Sequence, residues 1–427
     1  MMKLPLKDFE WMTEDEISHF DINSANLDGD TGYIIECDLK YPKKLHSKHS
    51  NLPLAPEVLQ INFENLSPYA KRSLIQSDGK TTYSDVKLTA TFHDRNDYVL
   101  HCKNLKLYLD LGMKLKKIKR ILKFTQDTFL AKYIQKCTEA RQNSATKFES
   151  SQFKKLANCV YGKTMQNVRD YITVKLHTKR ESALKAIAKH TYKNHTILSE
   201  NLVQTNHFSP TIIHDKPIAI GVSILELSKN IMFDFWYNKM TKNCPSQFDL
   251  GMSDTDSFLF KVTKPDEFWY HIDQYMDYSN YPKYHIDFDE ANKAQLGYFK
   301  NELGGELKCT EYIGLRPKCY SMNLINIRTN EISEKKICKG LGRAAITNRL
   351  RFKQYKKCLK KGKIQRHDFA TIRSTKHKIK TIMQRKKALS HFDCKRWLFD
   401  CGIHSVPYGS KHIQHFYNIC PNCFVNK

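Results

Sequence analysis

A chain of 427 residues with 41% hydrophobic and 11% aromatic side chains can build a real core, over roughly two or three domains. Seventy Lys and Arg against 44 Asp and Glu leave a formal charge of +26, which favours a polyanionic partner, most simply nucleic acid, over a merely solubilising surface. Thirteen Cys without framework spacing, an acidic opening (Asp8, Glu10) without an apolar core, and no apolar run near the roughly 18 residues of a membrane span argue against a secreted disulfide scaffold and a membrane protein; reduced thiols in an intracellular compartment are expected.

No repeat, low-complexity tract or Pro/Gly-rich linker interrupts the chain. Residues 1 to about 100 read as short strands and loops, with Tyr33-Ile34-Ile35 a strand candidate before a turn-rich stretch from Tyr41 to Pro56. Asn104 to Leu111 reads as a helix stopped by Gly112. Asp127 to Asn167 is expected to be mostly helical, with Phe153, Leu156 and Val160 facing a core. Pro217 to Met240 is a further helix with Ile224, Ile231 and Phe235 as its apolar stripe. Phe248 to Val262 reads as a hairpin, and beyond Gly340 the chain is basic and largely helical. Basic residues persist throughout, as in Lys114 to Lys123, Lys353 to Lys363 and Lys376 to Arg385, which suits a long groove better than a single tail.

The hairpin carries Asp254-Thr255-Asp256-Ser257 at its tip. An acidic turn alone is most often a solvated Asx-turn. What changes the reading is the upstream helix Lys154-Lys155-Leu156-Ala157-Asn158-Cys159-Val160-Tyr161-Gly162. Lys154, Asn158 and Tyr161 fall at i, i+4 and i+7 and share one helix face. Lys154 offers charge to a triphosphate, Asn158 can orient a sugar, Tyr161 offers a flat face to a base, and Gly162 admits close approach. Taken singly these are a surface Lys, a packed Tyr and a helix-ending Gly; their joint spacing carries the argument. Phosphoryl transfer by two divalent ions about 4 Å apart needs only a few carboxylates from separate segments, and Mg²⁺ takes oxygen ligands while keeping several waters. Asp254 and Asp256 can supply one side of such a clamp, with Ser257 tying the turn. In Gly314-Leu315-Arg316-Pro317-Lys318-Cys319-Tyr320, Lys318 and Tyr320 are two apart and would share a strand face, a cation beside a phenol suited to a primer phosphate and sugar. An ordinary edge-strand pair reads equally well there.

On these residues the chain resembles family B DNA polymerases of the protein-primed branch, and most closely those of the large self-synthesising transposons called Mavericks or Polintons. The resemblance runs through Tyr98-Val99-Leu100-His101-Cys102-Lys103-Asn104-Leu105-Lys106-Leu107-Tyr108-Leu109, then Phe153 to Met165, then Lys216-Pro217 through Leu225-Glu226-Leu227-Ser228-Lys229, and Tyr298-Phe299-Lys300 through Tyr320. It continues to Asp393-Cys394-Lys395-Arg396 and Pro407-Tyr408-Gly409, so it covers nearly the whole chain. It implies an α/β fold: a polymerase palm of antiparallel sheet with packed helices, helical fingers, an inserted terminal-protein region and a basic thumb. The implied division is 1–100 for a remnant of palm plus the insertion, 101–170 for fingers and nucleotide-binding helix, 171–330 for palm with the acidic hairpin and the K-x-Y strand, and 331–427 for thumb and tail. By that likeness Asp254 and Asp256 are the motif C carboxylates, Asp256 the more direct metal ligand. Lys154, Asn158 and Tyr161 belong to the nucleotide-binding helix, and Lys318 and Tyr320 to the primer-holding K-x-Y motif. Cys159 stands where the family usually has Ser. The implied cofactor is a pair of Mg²⁺ ions, the substrates deoxynucleoside triphosphates, and the partners a DNA primer-template and a terminal protein, in the nucleus and away from membranes.

The family's other metal-binding Asp, in motif A, is expected ahead of the helix. Glu36-Cys37-Asp38-Leu39-Lys40-Tyr41-Pro42 is one candidate, with Glu36 or Asp38 as ligand. In the Polinton branch, however, the segment resembling Tyr33 to Glu57 follows motif A. The opening Met2-Lys3-Leu4-Pro5-Leu6 and Phe9-Glu10-Trp11-Met12-Thr13 resembles the sequence just after it. The expectation is therefore a carboxy-terminal part of a polymerase without motif A or the exonuclease domain, which binds primed DNA and extends it little. The alternatives are a non-catalytic DNA-binding relic of a transposon and a metal nuclease using the same Asp pair, although cleavage needs no nucleotide-gripping helix. An in-frame D-x-N-N-L-Y-G in the DNA directly upstream points to an enzyme, and stop codons there to a relic.

Near the end, Cys420-Pro421-Asn422-Cys423 has metal-knuckle spacing, with Cys394, Cys401, His404 and His412 upstream but no second C-x-x-C. Two ordinary thiols rather than zinc are expected. The basic segment Arg343 to Lys363 is expected to lie against duplex backbone as a thumb would. DNA affinity should then fall steeply with added salt and depend little on sequence, as a filter-binding titration over ionic strength measures; salt-independent, sequence-selective binding would contradict the thumb reading.

Overall fold

The Tyr33-Ile34-Ile35 run forms the strand expected of it, inside the largest sheet. The computed structural model describes residues 2–242, 244, 248–375 and 378–413. In chain order its elements are β1 (Leu4–Trp11), α1 (Glu14–Ser18), β2 (Thr31–Lys40), β3 (Glu57–Asn62), α2 (Pro68–Asp78), β4 (Ser84–Thr89), β5 (Arg95–His101), α3 (Cys102–Asp110) and β6 (Lys114–Asp127). There follow α4 (Ala131–Gln142), α5 (Lys147–Thr164), β7 (Ile172–His177), α6 (Arg180–Ile187), β8 (Tyr192–Ser199), β9 (Leu202–Phe208) and α7 (Ile218–Asp234). The remainder is β10 (Phe248–Asp254), β11 (Ser257–Val262), α8 (Pro265–Ile272), β12 (Leu307–Arg316), β13 (Cys319–Asn326), β14 (Ile332–Cys338), α9 (Arg343–Arg349), α10 (Phe352–Lys361), β15 (Gln365–Thr375), β16 (Lys378–Leu389), β17 (Trp397–Leu398) and β18 (Ser405–Val406). The fold is mixed α/β with antiparallel sheets. The chain divides into two compact units, the first of Met1–Ala131, Ser223–His367 and Lys386–Lys427, the second of Lys132–Val222 and Asp368–Arg385. No helix among the described residues is long and apolar enough to cross a membrane.

In the first unit the main sheet has the order β1-β6-β2-β5. Alternation along β2 turns Ile35, Cys37 and Leu39 into the core and leaves Glu36 and Asp38 on the opposite face. The basic run Lys114 to Lys123 is most of β6. Its cations are largely committed within the sheet: Lys116 to Asp94 (2.8 Å), Lys119 to Asp38 (3.1 Å), Arg120 to Glu36 and Lys123 to Glu10 (3.5 Å). A cation beside a carboxylate has part of its field cancelled, so these four add less positive field than their number implies, while Lys114 and Lys117 are exposed. α3 ends as expected at Gly112, whose φ of +102° is a backbone conformation open to glycine and costly for others.

α7 continues into a π-helical turn, Phe235–Thr241, and buries Phe235, Trp236, Tyr237 and Met240 in the main core. The expected stripe is only partly right: Phe235 is buried, but Ile231 is 37% exposed. Buried positions instead include Ser223, Glu226, Leu227 and Phe233. The stripe shifts because Glu226 is drawn inward. Its carboxylate accepts from the Asn104 side-chain amide (2.7 Å) and from Lys229 (2.6 Å), and its carbonyl accepts from Asn104 as well (2.8 Å). A buried carboxylate held this way ties α7 to α3 far more firmly than it would unpaired.

The sheet β12-β13-β14 packs on α10 through Ile313, Leu315, Cys319, Cys338, Tyr355 and Cys358. Beyond Gly340 helix persists only to Lys361, where Gly362 (φ +63°) ends α10 and the chain turns into the β15-β16 hairpin. The expectation of a largely helical tail fails because exposure alternates residue by residue along the first part of β15, a period of two rather than 3.6.

The second unit holds α4, α5 and the sheet β7-β9-β8 with α6 packed on one face through Ala183 and Ala186. The His177 ring links Ser182 at the start of α6 (2.8 Å) to Thr205 in β9 (2.9 Å).

Burial holds three first-unit histidines, His46, His49 and His101, down at about 4, against the ordinary 6.5. The unfolded chain takes up these protons near pH 6.5 and the folded protein only near pH 4, so stability is full above 6.5 and declines as pH falls through that window. Thermal unfolding followed from pH 7 to pH 4.5 should show Tm falling, and a His101→Gln variant should show a shallower decline.

Candidate active site

The acidic turn is held by the core beneath it. Phe248 and Leu250 on β10 and Phe258, Phe260 and Val262 on β11 pack against the main core, with the Trp236 indole 5.4 Å from both the Phe248 and Phe258 rings. Asp254 pairs with Ser257 across the strands, leaving Thr255 and Asp256 as the tip. Asp256 N–H donates to the Asp254 carbonyl (2.7 Å), and the Ser257 hydroxyl donates to the same carbonyl (3.1 Å). Ser257 therefore ties the turn, as expected. Thr255 adopts φ +58°, a left-handed conformation unusual for a β-branched residue. β10 bulges between Leu250 and Met252, where a Cβ on Gly251 would come to 3.3 Å from both the Leu259 carbonyl and the Tyr312 ring. Asp254 is half-buried and Asp256 exposed.

Lys318 and Tyr320 stand at the neighbouring β12-β13 turn. The sequence reading placed both on one strand face. In the structure Arg316 pairs with Cys319, so Pro317 and Lys318 form the turn itself and Lys318 has φ +56°. Period-two logic does not apply to a residue in a left-handed turn. The same geometry sends the Lys318 ammonium to the Asp254 carboxylate at 3.0 Å. The Tyr320 ring lies 6.1 Å from that of Tyr312, whose hydroxyl donates to the Gly251 carbonyl at 3.5 Å. Burial pushes the Tyr312 phenol up to about 12; it also raises that of Tyr320, which Lys335 lowers and Glu302 and Asp254 raise further. Tyr312 is a residue that sequence reasoning missed, since nothing local marks it as the neighbour of Gly251.

Glu36 and Asp38 are both engaged on β2. Arg120 binds Glu36, while Asp38 accepts from the Asp97 N–H (2.9 Å) and from Lys119 (3.1 Å). The Asp97 N–H, then Lys119, hold the Asp38 carboxyl below its ordinary value. Among the described residues no group of three or more His, Cys, Asp or Glu is gathered closely enough to hold a metal.

The helix residues belong to the second unit. α5 starts from a capping box in which Thr146 accepts from the Glu149 N–H (3.2 Å) and Glu149 accepts from that of Thr146 (3.3 Å). Lys154, Asn158 and Gly162 are exposed and Tyr161 is half-buried. A methyl group on Gly162 would meet nothing within 4 Å, so this glycine is not required by packing. The expected core face is overturned: Leu156 is 48% exposed, Phe153 and Val160 are only half-buried, and Thr164 is the buried residue of the helix. The contact seen at Leu156 is polar, its carbonyl accepting from the Tyr133 hydroxyl at 3.1 Å. Cys420 and Cys423 lie outside the described residues.

A family model for type B DNA polymerases, organellar and viral, matches residues 1–241 of the 427. The chain belongs to that family. The match includes Lys154, Asn158, Tyr161 and Gly162 and ends before the acidic turn and the Lys318 turn. No curated protein matches the chain. Among solved structures, Phi29 DNA polymerase in an orthorhombic crystal form is 13% identical with a TM-score of 0.50, covering 91% of this chain and 55% of its own, a likeness of fold. Phi29 DNA polymerase with primer-template DNA is 14% identical (TM-score 0.49, covering 90% and 54%). The same enzyme with incoming nucleotide as well is 16% identical (TM-score 0.49, covering 91% and 54%). The chain thus spans about half the length of the structures it resembles.

Because Lys318 competes for Asp254, replacing it should free a carboxylate for a divalent ion. Lys318→Ala is expected to bind Mn²⁺ several-fold more tightly than the parent chain by titration calorimetry, the modest size reflecting a half-exposed pair.

Proposed function

We propose that this chain carries the nucleotide-binding and metal-binding parts of a template-directed DNA polymerase that adds deoxynucleotides to a primer. The observation that carries the reading is the Lys318 ammonium 3.0 Å from Asp254, which joins the acidic turn to the Lys-x-Tyr turn in one place. Two exposed or half-exposed carboxylates on one tight turn are hard oxygen donors of the kind Mg²⁺ takes, with room for its waters and for substrate phosphates. Asp256 and Asp254 would hold the ions, whose chemistry when bound is to polarise the phosphoryl group and stabilise attacking and leaving oxygens.

The protein's own residues then have separate tasks. Asp256 offers a carboxylate with no side-chain partner among the described residues, while Asp254 begins half-neutralised. Lys318 can exchange Asp254 for a primer phosphate, as a flexible point charge does readily. Tyr320 would meet the primer sugar. On α5, Lys154 would neutralise triphosphate charge, Asn158 orient the sugar, Tyr161 support the base, and Gly162 leave the approach open. Glu36 and Asp38 serve as metal ligands in this scheme only by giving up Arg120 and Lys119. Polymerase palm, helical fingers and basic thumb are the proposed roles of the regions set out by sequence. The resemblance to Polinton polymerases supports protein priming, a terminal-protein partner and a transposon setting.

The test is Mg²⁺-dependent primer extension by the purified chain, run beside nucleotide-dependent thermal stabilisation. Extension abolished by Asp256→Ala, and a nucleotide-induced rise in Tm abolished by Lys154→Ala, are the expected results. Binding of primed DNA with neither extension nor nucleotide stabilisation would overturn them in favour of a non-catalytic DNA-binding protein, and DNA cleavage without nucleotide stabilisation in favour of a nuclease.

A further inference from the structure

The strand Ile172-Thr173-Val174-Lys175-Leu176-His177 alternates aliphatic with polar side chains, so β7 has one apolar and one polar face. It lies at an edge of the β7-β9-β8 sheet, and its register with β9 runs without a shift from Ile172 opposite Phe208 to His177 opposite Val203. The other edge, β8, is broken by register shifts between Tyr192 and Asn194 and between Ile197 and Ser199. Bulges blunt an edge against further pairing, whereas a regular edge presents its unpaired N–H and C=O groups as a template. Every residue of β7 except His177 is exposed, so β7 is the open edge of this sheet.

The two faces of that edge differ in chemistry. Ile172, Val174 and Leu176 are 42%, 50% and 61% exposed. On β9, Asn206 stands opposite Val174 and Gln204 opposite Leu176. Gln204 donates to Asn206 (2.8 Å) and Asn206 to Asn194 (2.7 Å), so amides replace the apolar stripe one strand further in. On the other face His177 turns to α6, where its ring meets the Ser182 hydroxyl at 2.8 Å, and Lys175 shares that face. A groove of about 700 Å³ runs there between β7 and α6. Lys175, Lys179, Lys185 and Lys189 line it against one carboxylate, Glu181, among the described residues.

We propose that β7 is a docking edge for an extended acidic segment of a partner protein, whose backbone continues the sheet beside β7. Alternate side chains of such a strand fall on opposite faces. Apolar ones cover Ile172, Val174 and Leu176, while Asp or Glu between them reach Lys175 and Lys179 in the groove. The regular edge, the aliphatic stripe and the lysines each select one part of that ligand: amides, apolar side chains and carboxylates. A second copy of this chain fits poorly, because its own β7 would bring lysines to lysines. A nucleic-acid strand answers the lysines alone. It has no backbone amides for the edge, and among the described residues no Phe, Tyr or Trp lines the groove to stack a base.

The experiment titrates the full chain into fluorescein-labelled peptides and reads anisotropy. A peptide of alternating valine and glutamate should bind, and one of the same composition with its glutamates in a single block should bind about tenfold more weakly or worse. Reversing two exposed charges, Lys175→Glu with Lys179→Glu, should weaken the valine-glutamate peptide by about tenfold and strengthen a valine-lysine peptide in its place. Should that variant not fold, hydrogen exchange of the unaltered chain decides: the valine-glutamate peptide should slow exchange of the β7 amides and leave those of β8 unchanged, and oligothymidylate should slow neither. Equal binding of the alternating and block peptides would overturn the proposal, as would indifference to the charge reversal or protection of β8 in place of β7. Displacement of the peptide by oligothymidylate, with protection of β7 and α6, would overturn it in favour of a nucleic-acid site. None of these readouts involves nucleotide addition, so their outcome is separate from that of the function proposed above.

Discussion

The contact between Lys318 and Asp254 is the constraint around which the proposed chemistry is arranged. A carboxylate pair at the tip of a hairpin repels itself, and a tight turn holds the two charges close whatever the solvent does. Lys318 relieves that repulsion from a neighbouring turn, at the cost of a left-handed backbone that a glycine would adopt more easily. The strain at Lys318 and at Thr255 sits at two facing turns and at neither strand, which is where a functional site is expected to store it. Beneath them the aromatic packing of Trp236, Phe248 and Phe258 keeps the hairpin rigid enough for the pairing to persist.

Charge is distributed unevenly in the first unit. The main sheet holds several carboxylates against cations of β6, so part of that Lys-rich strand's field is cancelled within the sheet. Asp256, in contrast, has no cation beside it among the described residues. Glu226 is a third case, buried and fully engaged by Asn104 and Lys229, where its task is to register α7 on α3. Carboxylates of similar intrinsic acidity thus serve as sheet ties and as a helix clamp, and the one at Asp256 is left open for the role proposed above; only their surroundings tell them apart.

Much of the candidate site was legible in local sequence. The D-T-D-S turn, the helix bearing Lys154, Asn158 and Tyr161, and the Gly112 stop each depend on residues within a few positions of one another. Turn chemistry and helical period act over that range. The legible part stops where a period was assumed to carry on. Lys318 was assigned a strand face and stands in a turn; Leu156 was assigned a core and is half exposed; Ile231 was assigned the buried stripe and yields it to Glu226 and Leu227.

By itself the sequence determined the positive charge and the type of most long elements, and it named the residues proposed above to hold a metal or grip a triphosphate. Only the tertiary structure decided that Lys318 meets Asp254, that Lys116, Lys119, Arg120 and Lys123 of β6 face carboxylates, that Tyr312 stands over Gly251, and that Cys401 and His404 share one side of a bend. The reason is physical. Propensity and spacing are properties of neighbouring residues, whereas an ion pair or a ligand pair between distant segments exists only once sheet register and helix packing have placed their backbones within a few ångströms.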